Sequence, residues 1–250
     1  MKGFIDFKDK HIFIAGAGQG MGRETAVQLS ELGAIVTIVD YDLNNLNTTY
    51  GLLNGDHHLM IECNLANIET IEDVVRLAVA KNGPINGAVH CVGMRCRRPL
   101  KLLTKEVLQD VFTVNVISFF EFLRQLTRKG FFNAGLSVVA ISSMSSKTGG
   151  AGISAYSSSK AALDGAIRSL ASELAPKSVR INSVLPGQIR TPAYEKLLAL
   201  NGGEDKILQR QYLGLGEASD VVNMILFLLS ERSRLITGAS IPIDGGYMTS

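Results

Sequence analysis

Short apolar runs alternate with amphipathic segments along the chain. Seven runs have the length of buried strands, and each is followed by glycine, proline or polar residues. They cover residues 11–14, 35–39, 59–63, 87–92, 136–142, 179–185 and 239–243. Between them, apolar residues recur at intervals of three and four, which predicts helices. The alternation predicts an α/β fold: a doubly wound (Rossmann) seven-stranded parallel sheet with helices on both faces.

The predicted helices follow the strands in turn. One runs from a glycine-rich turn to Gly33, and others cover residues 68–80, 104–126, 156–174 and 220–229. Thr104 is suited to cap its helix, because a threonine oxygen can accept a hydrogen bond from a first-turn amide. No repeat, low-complexity tract or linker interrupts the pattern, so we expect a single domain over residues 1–250.

The first strand ends at a glycine-rich turn, Gly16-Ala17-Gly18-Gln19-Gly20-Met21-Gly22. Glycines allow a tight bend and a close approach of the backbone to a ligand. The free amides at the start of the following helix favour a pyrophosphate. The second strand ends in Asp40, whose carboxylate can accept hydrogen bonds from an adenosine ribose and would repel a 2′-phosphate. A turn between strand and helix, with an acid closing the next strand, predicts a dinucleotide site.

Tyr156 and Lys160 lie four residues apart at the start of an amphipathic helix, so their side chains share one face. A nearby ammonium can stabilise a phenolate, which predicts that Lys160 lowers the pKa of Tyr156 and makes it a general acid/base. The alternative is an ordinary surface pair of tyrosine and lysine. Gly16, Asp40, Gly93, Ser143 and Pro186 all follow predicted strands, and ligands bind at that edge of a parallel sheet.

The formal net charge of +2 over 250 residues does not indicate binding to nucleic acid or an anionic membrane. The first ten residues lack the apolar core of a signal peptide, and no apolar run is long enough to span a bilayer. Cys63, Cys91 and Cys96 have neither metal-ligand spacing nor an even number. We therefore expect a cytoplasmic protein without a metal site; a lowered pKa of Cys96 among arginines is a minor redox alternative.

With these residues in place, the whole chain resembles the single-domain branch of the short-chain dehydrogenase/reductase family. The resemblance rests on Ser143 thirteen residues before Tyr156, on Asn115 within the fourth long helix, on residues 180–191 and on Asp244-Gly245-Gly246. It implies hydride transfer between a nicotinamide and a secondary alcohol or ketone. Tyr156 would move the proton, Ser143 would bind the substrate oxygen, Lys160 would also hold ribose hydroxyls, and Asn115 would anchor a proton-relaying water.

The resemblance also implies a set of cofactor-binding positions. They are Gly16, Gln19, Gly20, Met21, Gly22, Asp40, Asn64, Leu65, Gly93, Tyr156, Lys160, Pro186, Gly187, Ile189 and Thr191. The chain departs from the family pattern at Ala15, at His90-Cys91-Val92-Gly93 and at Asn64, whose carbonyl can still accept a bond from adenine. NAD is favoured over NADP, because Asp40 would repel a 2′-phosphate and no basic residue stands at Gln19.

Arg95, Arg97 and Arg98 follow the fourth strand, where loops flank the substrate space. They could hold a carboxylate or phosphate, which would make the substrate anionic. The alternative is a solvated loop or a subunit contact. Residues 192–216 contain glycines expected of a cover over the site, in which Tyr194 faces either the substrate or the protein interior.

Two other functions are compatible with the pattern. One is an NADPH-dependent 3-oxoacyl-[acyl-carrier-protein] reductase, against which Asp40 and Gln19 argue. The other is a regulator that binds the nucleotide without turnover, against which the set Ser143, Asn115, Tyr156 and Lys160 argues. The resemblance further implies a homotetramer or homodimer, with contacts at the helix from Thr104 and at residues 236–247.

Overall fold

The structure, a computed structural model, describes residues 5–200 and 208–249. These residues contain seven strands: β1 His11–Ala15, β2 Ile35–Asp40, β3 Leu59–Glu62, β4 Ile85–His90, β5 Phe132–Ile141, β6 Arg180–Pro186 and β7 Ser240–Ile243. All pairings are parallel, in the order β3-β2-β1-β4-β5-β6-β7. The predicted fold class is therefore confirmed, with each strand within a few residues of its predicted position.

The helices of the described residues are α1 Gly20–Glu31, α2 Leu43–Tyr50, α3 Ile71–Asn82, α4 Lys105–Phe112, α5 Ser118–Leu126, α6 Ser145–Thr148, α7 Ser154–Leu174, α8 Pro192–Leu200 and α9 Ala218–Leu229. The predicted helix from Thr104 is present as α4 and α5, joined by the π-helical turn Thr113–Ile117. Thr104 caps α4 as expected, since its hydroxyl accepts from the Val107 amide. Sequence reasoning missed α2, whose residues are mostly asparagine and threonine.

The sheet buries both faces under helices. Along β1, Phe13 and Ala15 pack into a core with α3, α5 and α7. Ile12 and Ile14 point to the other face and pack into a core with α1 and α9. This two-residue alternation within an uninterrupted apolar run is what a central strand of a covered parallel sheet requires.

The carboxyl ends of the strands are held in register by backbone bonds that continue beyond them. The Gly16 amide donates to the Val39 carbonyl, and the Cys91 amide donates to the Ala15 carbonyl, each at 2.8 Å. The strand order reverses between β1 and β4, which opens a crevice at the carboxyl ends. This crevice is the place where the loops after β1, β4, β5 and β6 meet.

Within the described residues, no helix combines the length and apolar character needed to cross a membrane.

Candidate active site

A cleft of about 540 Å³ lies at the carboxyl edge of the sheet. Most predicted site residues line it: Gly16, Gln19, Gly20, Met21, Gly22, Gly93, Arg95, Arg97, Ser143, Tyr156, Lys160, Pro186, Gly187, Ile189, Thr191 and Tyr194. Five predicted residues are not among its lining: Asp40, Asn64, Leu65, Arg98 and Asn115. The loops after β1, β4, β5 and β6 therefore form one cavity wall.

The glycine-rich turn brings the start of α1 into the cleft. A Cβ added at Gly22 would lie 2.0 Å from the Gly16 carbonyl oxygen, so only glycine allows the turn to pack against the helix. Gln19 is the N-cap of α1 without a side-chain cap bond, and the first turn holds no acidic residue. The amides there lack intrahelical acceptors. The donors and the helix dipole fit a pyrophosphate.

Asp40 is fixed next to this turn. Its Oδ2 accepts from the Gly18 amide at 2.8 Å, and its Oδ1 accepts from the Asp42 amide at 3.1 Å. A carboxylate offers more lone pairs than these two bonds use, so both oxygens can still accept from ribose hydroxyls. Asp40 lies outside the cleft lining, and it borders the glycine turn where an adenosine would continue from the pyrophosphate.

Sequence reasoning missed Arg23, which ties the glycine turn to α2. Its guanidinium donates to the Gly18 carbonyl, to the Asn45 carbonyl and to the Thr49 hydroxyl. Thr49 in turn donates to the Ala17 carbonyl at 2.9 Å. The contacts to α2 join residues more than twenty positions apart, so no local pattern could have indicated them.

Two residues that were predicted to bind the cofactor, Asn64 and Leu65, follow β3. Asn64 is exposed, and its side-chain oxygen accepts from the Ala66 amide at 3.0 Å. Leu65 is buried in the core beneath the sheet. Their contribution to cofactor binding stays a prediction.

Ser143 and Tyr156 come together in the cleft. Both side chains line the cleft, and the Ser143 oxygen accepts from the Ser145 amide at 3.1 Å. Burial raises the pKa of Tyr156, while the positive charge of Arg95 and the polar side chain of Ser143 oppose that rise. The predicted lowering of this pKa by Lys160 is therefore wrong: burial raises the pKa, and the cation that opposes the rise is Arg95.

Lys160 is buried and holds its ammonium against the end of β5. Its Nζ donates to the Ile141 carbonyl at 2.7 Å. Burial lowers the pKa of Lys160 to about 8, against the opposing effect of the Asp164 carboxylate. A Cβ added at Gly93 would lie 3.1 Å from this Nζ, so a side chain there would crowd the ammonium.

Asp164 is a second residue that sequence reasoning missed. It lies one turn after Lys160 on α7 and is almost fully buried. Its two oxygens accept from the hydroxyls of Ser146 at 2.6 Å and Ser183 at 2.9 Å. The four-residue spacing from Lys160 was the available signal, since such residues share a helix face. Asp164 supplies a fixed negative charge that favours the ammonium form of Lys160.

Asn115 lies in the π-helical turn and is fully buried. Its oxygen accepts from the Met94 amide at 2.6 Å, and its nitrogen donates to the Met94 carbonyl at 3.1 Å and to Ser159 at 2.8 Å. The side chain thus clamps the loop after β4 to α7. The structure gives Asn115 a positioning contact, and its role in a water relay stays a prediction.

His90, which departs from the family pattern, is buried at the end of β4. Burial, with a smaller contribution from the Lys160 charge, lowers the pKa of His90 to about 3, so the ring is neutral. Its Nε2 lies 3.3 Å from the Ser118 hydroxyl, and its Nδ1 has no partner in the described part of the chain. His90 therefore stands behind the cleft wall as a neutral group.

The loop after β6 is clamped by Gln211, a third residue that sequence reasoning missed. The Gln188 amide donates to Gln211 Oε1 at 2.9 Å, and Gln211 Nε2 donates to the Gln188 carbonyl at 3.0 Å. Farther along this loop, Thr191 faces the glycine turn, since a Cβ at Gly20 would lie 3.4 Å from its methyl group. The predicted residues Pro186, Gly187 and Ile189 thus line a wall of fixed shape.

The predicted cover is described in part. Residues 192–200 form α8, which contributes Pro192 and the buried Tyr194 to the cleft. Residues 201–207 of the predicted segment lie outside the described residues. The covering function stays a prediction.

The cysteines give no sign of redox chemistry. All three are free thiols, and burial raises the pKa of Cys91 to about 12. Cys96 is buried among Val111 and Ala155 instead of standing free between the arginines. In residues 5–200 and 208–249, no cluster of three or more His, Cys, Asp or Glu side chains is placed to hold a metal ion.

Comparison with known proteins adds to this geometry. The profile of a family described as enoyl-(acyl carrier protein) reductase matches residues 16–248. Carbonyl reductase [NADPH] 2 of Sus scrofa is 32% identical over 249 residues, covering 98% of this chain and 99% of that protein. L-xylulose reductase of Caenorhabditis elegans is 30% identical over 245 residues, covering 97% of each.

Solved structures give the same picture. A short-chain dehydrogenase/reductase from Serratia marcescens has a TM-score of 0.90 at 25% identity, covering 96% of this chain and 98% of that one. A 7α-hydroxysteroid dehydrogenase, solved with NADH and 7-oxo glycochenodeoxycholic acid, has a TM-score of 0.89 at 25% identity, covering 96% of this chain and 95% of that one.

The buried ammonium of Lys160 should lower the free energy of unfolding by an amount that depends on pH. Folding lowers the pKa of Lys160 from 10.5 to about 8, so the penalty is complete below pH 8 and disappears as the pH rises to 10.5. Lys160→Met removes the group. We expect the free energy of unfolding of the variant, relative to wild type, to fall by about 2–3 kcal/mol between pH 7 and pH 10.

Urea denaturation at the two pH values measures this difference. The control is Lys177→Met, at an exposed lysine just after the same helix. Its free energy of unfolding, relative to wild type, should be the same at both pH values. A Lys160→Met difference that does not change with pH would contradict the burial of a charged lysine.

Proposed function

Because the chain belongs to the short-chain dehydrogenase/reductase family, whose members are oxidoreductases that use NAD(P)(H), we propose that it transfers a hydride between NAD(H) and a secondary alcohol or ketone. The observation that carries the proposal is that Ser143, Tyr156 and Lys160 line one cleft together with the glycine-rich turn. When bound, the nicotinamide supplies or accepts the hydride.

The residues of the chain divide the remaining work. Ser143 binds the substrate oxygen and stabilises the charge that develops there. Tyr156 donates the proton to that oxygen during reduction and accepts it during oxidation. Lys160, kept charged by Asp164, supplies positive charge behind the tyrosine and holds ribose hydroxyls. Asn115 completes the set by fixing the loop after β4 through both backbone groups of Met94.

The protonation state of Tyr156 favours reduction at neutral pH. Burial raises the pKa of the phenol, so the hydroxyl is protonated and ready to donate. Oxidation needs the phenolate, and it should therefore become faster as the pH rises. The names of the two curated relatives described above, both reductases, agree with this direction.

The cofactor binds along the glycine-rich turn and the cleft described above. The first-turn amides of α1 take the pyrophosphate, Asp40 takes the adenosine ribose, and Gly93, Pro186, Gly187, Ile189 and Thr191 surround the nicotinamide end. NAD is the preferred cofactor, since a 2′-phosphate would meet the Asp40 carboxylate. Arg23, a nearby cation, already donates to three acceptors. One relative is named for NADPH and one solved relative contains NADH, so kinetics must decide.

A second candidate is reduction of an acyl thioester. The matching family profile is described as an enoyl-(acyl carrier protein) reductase, which supports this candidate. The proposed preference for NAD argues against an NADPH-dependent 3-oxoacyl reductase. A regulator without turnover is disfavoured, because a buried ammonium is costly to keep without chemistry.

We further propose that the chain self-associates as a homodimer or homotetramer. Large apolar side chains are exposed along residues 100–120: Leu100, Leu102, Leu108, Ile117 and Phe120. Such a concentration is typical of a face that a partner covers. Free cysteines support a cytoplasmic location, and a small molecule is the expected partner of the cleft, not nucleic acid or a membrane.

Tyr156→Phe tests the proposed chemistry. Removing the hydroxyl should lower kcat by about 10²–10⁴-fold while the Kd for NADH changes far less, by about threefold at most, because the phenol moves the proton and is one of many predicted nucleotide contacts. Turnover is followed by NADH absorbance on hydroxy acids, polyols, sugars, steroids and acyl thioesters, and NADH binding by calorimetry. Tyr50→Phe, at a half-exposed tyrosine on α2, is the control. A Tyr156→Phe variant with unchanged kcat would refute the mechanism.

Asp40→Ala tests the cofactor preference. Wild type should have the higher kcat/KM with NADH, and the variant should lose about tenfold of that preference, since the repulsion of the 2′-phosphate disappears. The matched control is Asp42→Asn, which removes the neighbouring charge from the cap of α2 and leaves the bond between Gly18 and Asp40 in place. A wild type that works better with NADPH would overturn the preference.

A further inference from the structure

We infer that the substrate carries an oxyanion, a carboxylate or a phosphate monoester, that Arg95 and Arg97 bind beside Tyr156. This inference rests on the proposed function and adds the chemical class of its substrate. Four features of the loop after β4 carry it: the charge of the cleft, the lack of ion-pair partners in residues 5–200 and 208–249, the anchoring of the loop and the positions of its arginines.

The cleft is cationic. Its lining contains Arg95, Arg97 and Lys160 and, among the described residues, no aspartate or glutamate. The Lys160 ammonium already donates to the Ile141 carbonyl inside the protein. The two guanidiniums therefore provide the positive charge that a ligand entering the cleft would meet.

Among the residues that the structure describes, neither arginine has an ion-pair partner. The ion pairs of the described residues join Glu72, Glu121, Glu195 and Glu217 to other arginines. Both Arg95 and Arg97 are exposed at the mouth of the cleft. A guanidinium with five free donors in a planar fork matches a carboxylate or phosphate.

The loop that carries the arginines is fixed at three points. Asn115 binds the amide and the carbonyl of Met94. Cys96 is buried against Val111 and Ala155, which turns its two neighbours outward. The Arg98 amide donates to the Gly152 carbonyl at 2.7 Å. A flexible solvated loop would lack such anchors, and fixed donors lose less entropy when they bind a ligand.

The positions of the side chains point to the substrate. The positive charge of Arg95 acts to lower the pKa of the Tyr156 phenol, and both side chains line the cleft. The reacting oxygen of the substrate must lie next to this phenol. The stem of Arg97 lies against Gly152, close to the start of α7, since a Cβ at Gly152 would be 3.7 Å from Arg97 Cγ. The first-turn amides of α1 are the proposed binding site of the pyrophosphate, so these arginines are not needed for it. Arg98, predicted as a third ligand, does not line the cleft.

The test compares charged substrates with neutral partners of the same skeleton. Oxo acids of three to six carbons are assayed against their methyl esters, and ketose phosphates against the free sugars, all with NADH. The two arms distinguish a carboxylate from a phosphate. Wild type should show at least about tenfold higher kcat/KM for the charged member of one arm.

The variants assign that difference to residues. Arg95→Gln and Arg97→Gln should each raise KM for the charged substrate by about tenfold or more, with little change in kcat and none in KM for the neutral partner. Arg98→Gln, on the same loop but outside the cleft lining, is the matched control and should leave both unchanged.

The outcomes separate the two proposals. Equal or better turnover of the neutral partners, or a KM for the charged substrate that neither variant changes, overturns the inference and leaves the proposed function standing. NADH binding in calorimetry without turnover of any charged substrate also overturns the inference. Failure of wild type to bind either nucleotide and to turn over any substrate overturns the proposed function, and the inference falls with it.

Discussion

A buried ammonium is the constraint around which the cleft is built. Lys160 Nζ donates to the Ile141 carbonyl at 2.7 Å, and the Asp164 carboxylate opposes the effect of burial on its pKa. A charge inside a protein is tolerated only with partners of this kind. The carbonyl comes from the end of β5, the carboxylate lies one turn along α7, and the absence of a side chain at Gly93 leaves room for the ammonium. Three separate segments thus have to fold together before the lysine can be placed.

The parallel sheet explains why the candidate residues meet, and polar clamps explain why they stay in place. Parallel strands deliver their loops to one edge, where the glycine turn, Gly93, Ser143 and Pro186 form a common wall. Asn115 holds the loop after β4, Gln211 holds the loop after β6, and Arg23 holds the turn after β1. These side chains contact backbone groups and leave the cleft-lining atoms available to a ligand.

The sequence predicted what depends on local spacing. The strands, most helices, the glycine turn and the shared face of Tyr156 and Lys160 follow from periods of two and 3.6 residues. The features that the sequence did not predict depend on contacts between distant segments. The bonds of Gln211 span 23 residues, and the direction of the shift in the pKa of Tyr156 depends on burial that spacing does not reveal. Helix α2 was missed because its stability comes from the Asp42 cap and two buried residues more than from apolar periodicity.

The central claim is that Lys160 is buried beside Tyr156 and is held charged at neutral pH by Asp164. The most direct measurement is a pH titration of the Lys160 side chain by NMR with isotope-labelled lysine, assigned with the Lys160→Met variant. The account predicts a midpoint near a pKa of about 8 in the nucleotide-free protein. It predicts a lower midpoint in Asp164→Asn, which removes the charge that favours the ammonium. A midpoint near 10.5 in both proteins, the ordinary pKa of an exposed lysine, would contradict it.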